Sequence, residues 1–196
     1  MTHYFDTPAG DGPEFDVPAT LWGRQVNLIS APGVFSARRL DPGTAVLLRA
    51  CPPPAGPGPF LDLGCGLGPI ALALALHTSA EVWAVDVNRR ALDLTRRNAE
   101  RLGLADRLHA LAPDDIDPTL RFAEIWSNPP IRIGKAALHD LLTTWLPRLA
   151  PPGRARLVVA KNLGADSLAR WLGDAGWSVT RQASARGYRV LVVGRG

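Results

Sequence analysis

The sequence predicts an α/β protein built on a mostly parallel β-sheet with helices on both faces. Three observations favour this class. From Phe60 onward, short apolar runs typical of buried strands alternate with longer segments typical of helices. A glycine-rich turn, GCGLGP, joins the first of these strands to the first of these helices. The last two apolar runs have no room for a helix between them, so they are expected to pair as an antiparallel hairpin.

The first fifty residues are predicted to form an N-terminal appendage to this sheet. Residues 1–18 are interpreted as loosely structured, and Leu21–Ser30 alternates well enough for a strand. Ala31–Phe35 indicates a turn into a further short strand. Asp41–Ala50 is expected to be a helix, because its opening aspartate suits the N-cap and the proline that follows suits the first helical position.

A proline- and glycine-rich stretch, Cys51–Pro59, is the best candidate boundary in the chain. We expect residues 1–50 to be an appendage or lid packed on the core, residues 51–59 to be a connector, and residues 60–196 to be the main domain.

The main domain is predicted to contain seven strands and four helices. The predicted strands are FLDL, EVWAVD, DRLHALA, AEIWS, ARLVVAK, WSVTRQ and YRVLVVG. The predicted helices are IALALALHT, RRALDLTRRNAERLGL, GKAALHDLLTTWLPRLA broken late at Pro147, and ADSLARWLGDAG. Strands alternating with helices imply a mostly parallel sheet that is covered on both faces.

Length and composition exclude several classes of protein. A chain of 196 residues, of which 46% are hydrophobic, suits one globular domain. It has no apolar run of about 18 residues, so a membrane span is not expected. The polar N-terminus does not read as a secretory signal, and Cys51 and Cys65 lie in no metal-like cluster. These features predict a cytoplasmic protein without a metal; the sequence leaves the oligomeric state open.

Basic charge is concentrated in the C-terminal part of the chain. Residues 1–120 carry ten Lys or Arg and fourteen Asp or Glu, a balance of −4, whereas residues 121–196 carry twelve and four, a balance of +8. A concentrated basic segment attracts polyanions such as nucleic acid. The alternative is a compositional bias, because twenty of the 22 basic residues are arginine.

The glycine-rich turn is interpreted as part of a nucleoside site. LDLGCGLGP (Leu61–Pro69) follows a strand and opens a helix, where Gly64 and Gly66 let a ligand approach the backbone closely. Asp62, placed on the entrance side of the loop, is expected to repel phosphate and favour a cationic ligand. Asp86, at the end of the next strand, can accept hydrogen bonds from both ribose hydroxyls. S-adenosyl-L-methionine fits this pattern better than NAD.

Other residues are assigned to the same cofactor. Asp114 or Asp115, after the third strand, could meet the adenine amino group; a solvated acidic loop is the alternative. The predicted cofactor-binding residues are Asp62, Gly64, Cys65, Gly66, Asp86, Val87, Asp114 and Asn128.

The stretch SNPPIRIGK (Ser127–Lys135) follows the fourth predicted strand and is interpreted as the catalytic element. The side-chain oxygen of Asn128 and the carbonyl of Pro129 are two acceptors on a rigid Pro-Pro backbone. Two such acceptors can hold an NH2 group by its hydrogens, turn its nitrogen toward sp3 geometry and aim its lone pair at a methyl carbon. The alternative is that NPP only ends a strand. The predicted catalytic residues are Asn128, Pro129, Pro130 and Ile131.

Together, LDLGCGLGP, VDVN and NPPI resemble class I methyltransferases that methylate amines. HYF near the start, GVFSARRLDPGTAVLL and NPPIRIGK narrow the resemblance to the "methyltransferase small" family, which includes 16S ribosomal RNA guanine-N2 methyltransferases. The resemblance covers nearly the whole chain. It implies a Rossmann-like, seven-stranded sheet with an antiparallel last strand. It also implies S-adenosyl-L-methionine as cofactor, with Asn128 and Pro129 at the target nitrogen.

The resemblance implies ribosomal RNA, or a small ribosomal subunit particle, as the partner. Arg132, Lys135 and Lys161 are predicted to contact this substrate, although each could be a solvated surface residue. The family often carries two tandem domains, and many relatives have Tyr or Phe after NPP, where this chain has Ile131 and offers only an apolar surface. Two alternatives stay open: methylation of a protein glutamine or small-molecule amine, and a non-catalytic cofactor- or RNA-binding module.

Overall fold

The computed structural model describes residues 12–130 and 134–196 of the chain. The strands in these ranges are β1 (Phe15–Leu21), β2 (Arg24–Ser30), β3 (Phe60–Leu63), β4 (Val82–Val85), β5 (Leu108–Leu111), β6 (Phe122–Ser127), β7 (Leu149–Ala160), β8 (Trp177–Ala185) and β9 (Tyr188–Arg195). The α-helices are α1 (Pro42–Ala50), α2 (Pro69–His77), α3 (Arg89–Arg101), α4 (Lys135–Trp145) and α5 (Ala165–Asp174).

In the described part of the chain, the main sheet has seven strands in the order β5-β4-β3-β6-β7-β9-β8. β5, β4, β3, β6 and β7 are parallel, while β9 is antiparallel to both β7 and β8. The predicted Rossmann-like sheet, with its antiparallel last strand and terminal hairpin, is therefore confirmed.

The strand order reverses at β3. The chain runs outward from β3 through β4 to β5, then returns to place β6 on the other side of β3. In open α/β sheets, ligands bind in the crevice outside the carboxyl ends of the strands at such a switch point. This topology therefore puts the ends of β3 and β6 at the expected position of a ligand site.

Two apolar clusters cover the two faces of the sheet. One contains buried side chains of α1, α2 and α3, and the other contains buried side chains of α4 and α5. Leu21, Leu28 and Leu47, from the N-terminal fifty residues, belong to the same cluster as Phe60 of β3. The N-terminal segment therefore shares the core of the sheet.

The prediction for the N-terminal segment was wrong in three places. The single strand predicted over Leu21–Ser30 is instead a hairpin of β1 and β2, so residues 15–18 are also in a strand. Its two-residue turn places both Trp22 (φ 43°) and Gly23 (φ 86°) at positive φ, which matches the twist of the strands. The further short strand predicted at the end of Ala31–Phe35 is not formed, because Val34 lies in a bend and Phe35 in a turn. Residues 1–11 lie outside the described residues.

The helix predicted at Asp41 is confirmed together with its cap. The carboxylate of Asp41 accepts hydrogen bonds from the backbone N–H groups of Gly43 (2.8 Å) and Thr44 (3.1 Å). These bonds satisfy two of the donors that a helix leaves unpaired at its start. In the last third of the chain, β7 begins at Leu149, earlier than predicted, and Lys161 lies in a short 3-10 turn after it.

Candidate active site

The loops that follow β3 and β6 lie against each other. The hydroxyl of Ser127, the last residue of β6, donates to the carbonyl of Leu63, the last residue of β3, over 2.6 Å. Gly64 and Pro130 are also neighbours, because a Cβ added at Gly64 would lie 3.6 Å from Cδ of Pro130. The glycine loop (residues 64–68) and the NPP segment (residues 128–130) therefore lie on the same edge of one crevice.

The glycine loop is shaped for close approach. Gly64 (φ 75°) and Gly66 (φ 56°) both adopt backbone conformations that side chains rarely tolerate. A Cβ added at Gly66 would meet no atom within 4 Å, so the loop faces open space there. The N–H groups of Gly64 and Cys65 donate to the carbonyl of Val85 at the end of β4, which fixes the path of the loop.

Asp86 follows β4 and stabilises the glycine loop through a hydrogen bond. One carboxylate oxygen accepts from the N–H of Gly66 and the other from the N–H of Asn88, each over 2.9 Å. Burial raises the pKa of Asp86, while the backbone N–H groups of Asn88, Gly66 and Val87 act in the opposite direction. These three donors leave about one of the four lone-pair sites of the carboxylate for a further donor. Val87, the next residue, is 48% exposed and offers an apolar surface beside the carboxylate.

Asp62 does not lie on the entrance side of the loop as the sequence predicts. It is fully buried in β3, where one oxygen accepts from the N–H of Ala71 in α2 over 2.9 Å. Burial raises the pKa of Asp62 to about 8. The carboxyl is therefore largely protonated at neutral pH, so the charge argument for a cationic ligand loses its main support. Its other oxygen, Oδ1, has no partner in the described part of the chain.

The side chain of Cys65 packs toward α3. Its side chain is buried, and its sulfur lies 3.8 Å from the hydroxyl of Thr95 in α3. Burial raises the pKa of this thiol well above its usual value. The thiol is therefore neutral at physiological pH and packs under the loop.

Asn128 is held at the rim of the crevice by two contacts from the N-terminal segment. Its amide nitrogen donates to the carboxylate of Asp41 over 2.6 Å and to the hydroxyl of Thr44 over 3.1 Å. Both hydrogens of the NH2 group are thereby used. The amide oxygen accepts no hydrogen bond from the described residues. Pro129 is buried and Pro130 is exposed, so the rigid segment passes from the core to the surface at this point.

The N-terminal segment also supplies a wall of the crevice. Phe35, Ser36 and Arg39 line the same cleft as Gly64 and Asn128. Phe35 is 62% exposed, so its ring is available to a ligand or partner.

Three further predicted site residues, Asp114, Lys135 and Lys161, lie at the same edge of the sheet, and none of their hydrogen bonds among the described residues reaches Asn128 or the glycine loop. Asp114 is exposed after β5, Lys135 is exposed at the start of α4, and Lys161 is exposed after β7. The backbone N–H of Lys161 donates to the carbonyl of Gly187 in the terminal hairpin. Ile131 and Arg132 lie outside the described residues.

Two residues of this site were missed by the sequence reasoning. The sequence indicates only a helix-capping role for Asp41 and no role for Thr44. The signal that points to them is the motif GVFSARRLDPGTAVLL, which contains both residues and carries part of the family resemblance.

The described part of the chain contains neither a metal-binding cluster nor a membrane-spanning helix. Within residues 12–130 and 134–196, no three His, Cys, Asp or Glu side chains are grouped to hold a metal ion. No helix in these ranges is long and apolar enough to cross a bilayer.

The residues present fit the nucleoside part of S-adenosyl-L-methionine. The open space over Gly66 admits a ligand against the backbone, and Asp86 retains acceptor capacity for a ribose hydroxyl. Val87 supplies an exposed apolar surface next to them, suited to the face of a purine. When bound, this cofactor supplies an electrophilic methyl group.

Comparison with known proteins identifies the family. The profile of the methyltransferase small domain matches residues 25–192. A Bacillus subtilis protein, uncharacterized protein YbxB, is 32% identical over 175 residues, which is 87% of each chain. Ribosomal RNA small subunit methyltransferase C of Aeromonas hydrophila is 36% identical over 62% of this chain. This chain spans 35% of the length of that relative and 54% of the Chromohalobacter salexigens protein of the same name.

Solved structures of methyltransferases share the fold of this chain. The Thermus thermophilus 16S rRNA N2 G1207 methyltransferase, in complex with AdoMet and guanosine, superposes with a TM-score of 0.77 at 26% identity, over 96% of this chain and 52% of that chain. A Pyrococcus furiosus methyltransferase shares the fold with a TM-score of 0.70 at 19% identity, over 87% of this chain and 89% of that chain. The predicted family and cofactor are confirmed: the chain belongs to the methyltransferase small domain family of class I methyltransferases, whose methyl donor is S-adenosyl-L-methionine.

Proposed function

We propose that this protein transfers a methyl group from S-adenosyl-L-methionine to an exocyclic amine, and that the amine is N2 of a guanine in ribosomal RNA. The observation that carries this proposal is the hydrogen bonding of the Asn128 side chain. Its NH2 group is used by Asp41 and Thr44, and its oxygen is left as an acceptor beside the glycine loop. A free amide oxygen at this point suits a substrate that donates hydrogen bonds.

Asn128 and Pro129 hold the substrate amine by its two hydrogens. The lone pair of an exocyclic amine is delocalised into the base, which makes the nitrogen a poor nucleophile. Two acceptors that draw its hydrogens to one side favour sp3 geometry and point the lone pair away from them. Fixed orientation of this kind can lower a barrier by about 7–11 kcal/mol at the upper end.

No general base is needed before transfer. The nitrogen forms a bond to the methyl carbon as the carbon–sulfur bond breaks, and the electron pair of that bond stays on sulfur. The nitrogen then carries one positive charge and releases a proton to water after transfer. Asn128 can assist throughout without changing its protonation state, because an amide does not titrate in this range.

Charge and the relatives together favour RNA as the substrate. The C-terminal part of the chain carries a net charge of +8, and Lys135 and Lys161 are exposed at the edge of the sheet that bears the crevice. Relatives named as ribosomal RNA small subunit methyltransferase C match 62% and 68% of this chain at 36% identity. A paired guanine must leave its stack to reach the crevice, or be methylated before the RNA folds. An assembling small subunit offers such a guanine.

The test is to find which cellular fraction accepts the methyl group. Total RNA, small ribosomal subunits and protein are prepared from a strain that lacks this gene, and each is incubated with enzyme and radiolabelled cofactor. We expect label in small subunits or their RNA, recovered after digestion as N2-methylguanosine. Label in protein or in small molecules would replace the RNA assignment with one of those substrates. An absence of label in every fraction, with cofactor bound, would favour a non-catalytic module.

A further inference from the structure

We infer that Asp41 is the positioning residue of the active site: it sets which way the amide of Asn128 faces. This role rests on the function proposed above and adds a residue to it. Asp41 caps α1 in the N-terminal segment, and Asn128 follows β6 in the sheet, 87 residues later. The contact between them joins the N-terminal segment directly to the catalytic element.

The geometry of the contact is specific. A single oxygen of Asp41, Oδ1, accepts from the N–H of Gly43 at 2.8 Å, from the N–H of Thr44 at 3.1 Å and from the Asn128 amide at 2.6 Å. The first two bonds fix the carboxylate on the start of α1. The third bond therefore fixes the amide of Asn128 relative to the start of α1.

The chemistry of Asp41 decides the orientation of the Asn128 amide. A carboxylate only accepts hydrogen bonds, so it must face the NH2 group of Asn128 and not its oxygen. The amide oxygen is thereby directed away from Asp41. A flip of the amide by 180° would set two oxygens against each other and turn the NH2 group toward a substrate amine, where donor would meet donor.

The surroundings keep Asp41 in place. α1 is anchored by buried Val46 and Leu47, so its first turn cannot shift freely. Gly43 leaves the space for the contact, because a Cβ there would lie 2.9 Å from Oδ1 of Asp41 and 3.3 Å from the amide nitrogen of Asn128. The same Cβ would also lie 2.9 Å from the ring of Tyr188 in β9.

Two substitutions separate positioning from capping. Asp41→Ser keeps a good N-cap, but its side chain is one bond shorter, so we expect the 2.6 Å hydrogen bond to Asn128 to be lost. Asp41→Asn keeps an oxygen that can cap the helix and accept from Asn128. On gene-deleted small subunits with saturating cofactor, we expect Asp41→Ser to lower kcat by about ten- to a hundredfold, the scale of a misplaced reacting group. Asp41→Asn should stay within about threefold of the wild type, because it loses only the charge on the bond.

A double-mutant cycle tests whether Asp41 acts through Asn128. If it does, adding Asp41→Ser to Asn128→Ala causes no further loss of kcat. Cofactor affinity by calorimetry, and the melting temperature, should stay close to those of the wild type for Asp41→Ser. The inference is overturned if Asp41→Ser leaves kcat unchanged, or if it lowers kcat by the same factor with and without Asn128.

A readout that does not depend on activity separates this inference from the proposed function. The side-chain NH2 resonances of Asn128 in 15N-labelled protein are identified by their loss in Asn128→Ala. We expect them to move upfield in Asp41→Ser, because the short bond to a carboxylate is lost, and to move less in Asp41→Asn. Unmoved resonances would overturn the positioning role. Moved resonances with full turnover in Asn128→Ala would retain the contact but refute the proposed function.

Discussion

The buried carboxyl of Asp62 makes a quantitative prediction about stability and pH. Its pKa is about 8 in the folded protein, against an ordinary value of 3.8. Burial is the largest cause, and the nearby carboxylate of Asp86 acts in the same direction. Between these two pH values the folded state binds one proton more than the unfolded state. The free energy of unfolding should therefore fall as pH rises, by about 1.4 kcal/mol per pH unit.

The size of the stability loss follows from the pH range between the unfolded and folded pKa values of Asp62. From pH 5 to pH 7 this single group should remove about 3 kcal/mol of stability, and the loss should level off above pH 8. Asp62→Asn keeps an oxygen for the N–H of Ala71 but does not titrate. Relative to the wild type, this variant should gain stability by the same amount over the same window, whatever its starting stability at pH 5.

Urea unfolding at pH 5, 6, 7 and 8 measures the difference. Comparing the two proteins cancels most of the contribution of other groups, including Asp86 and Cys65, which lie beside Asp62. Asp174→Asn, at an exposed position on α5, is the matched control and should follow the wild type. If the free energy of unfolding changed with pH in the same way in Asp62→Asn and the wild type, the account of a buried, protonated carboxyl would be refuted.

Two further predictions concern the ligands. Asp86→Ala should weaken cofactor binding by about tenfold or more, because it removes both the ribose acceptor and the hydrogen bond that holds Gly66. Asp93→Ala, at an exposed position, should leave cofactor binding unchanged. Calorimetry with the cofactor measures both affinities. The double variant Arg132→Ala, Lys135→Ala should bind RNA more weakly, with a shallower dependence on salt and unaltered cofactor affinity; an unchanged salt slope would remove these residues from phosphate binding.

Much of the fold could be predicted from the sequence because its signals are local. The alternation of apolar runs and helices from Phe60, the capped start of α1 and the closing hairpin each depend on residues close together in the chain. The hairpin of β1 and β2 was missed because Trp22-Gly23 sits within an alternating apolar pattern. The strained turn that divides it leaves no clear trace in the sequence except the glycine.

The site was only partly predictable because its key relations are tertiary. The sequence places the glycine loop and NPP after strands, but strand order decides that β3 and β6 are neighbours. The inward direction of Asp62 depends on how β3 packs on α2. The contact of Asp41 with Asn128 joins positions 87 residues apart and has no local signature.

The most direct test of the central claim is to measure formation of N2-methylguanosine on gene-deleted small subunits by the wild type and by Asn128→Ala. Cofactor affinity is measured in parallel, and Asn27→Ala, at an exposed position in β2, is the matched control. We predict that Asn128→Ala loses about a hundredfold or more in kcat while cofactor affinity stays within about twofold. Full turnover by Asn128→Ala would contradict an active site built on this amide.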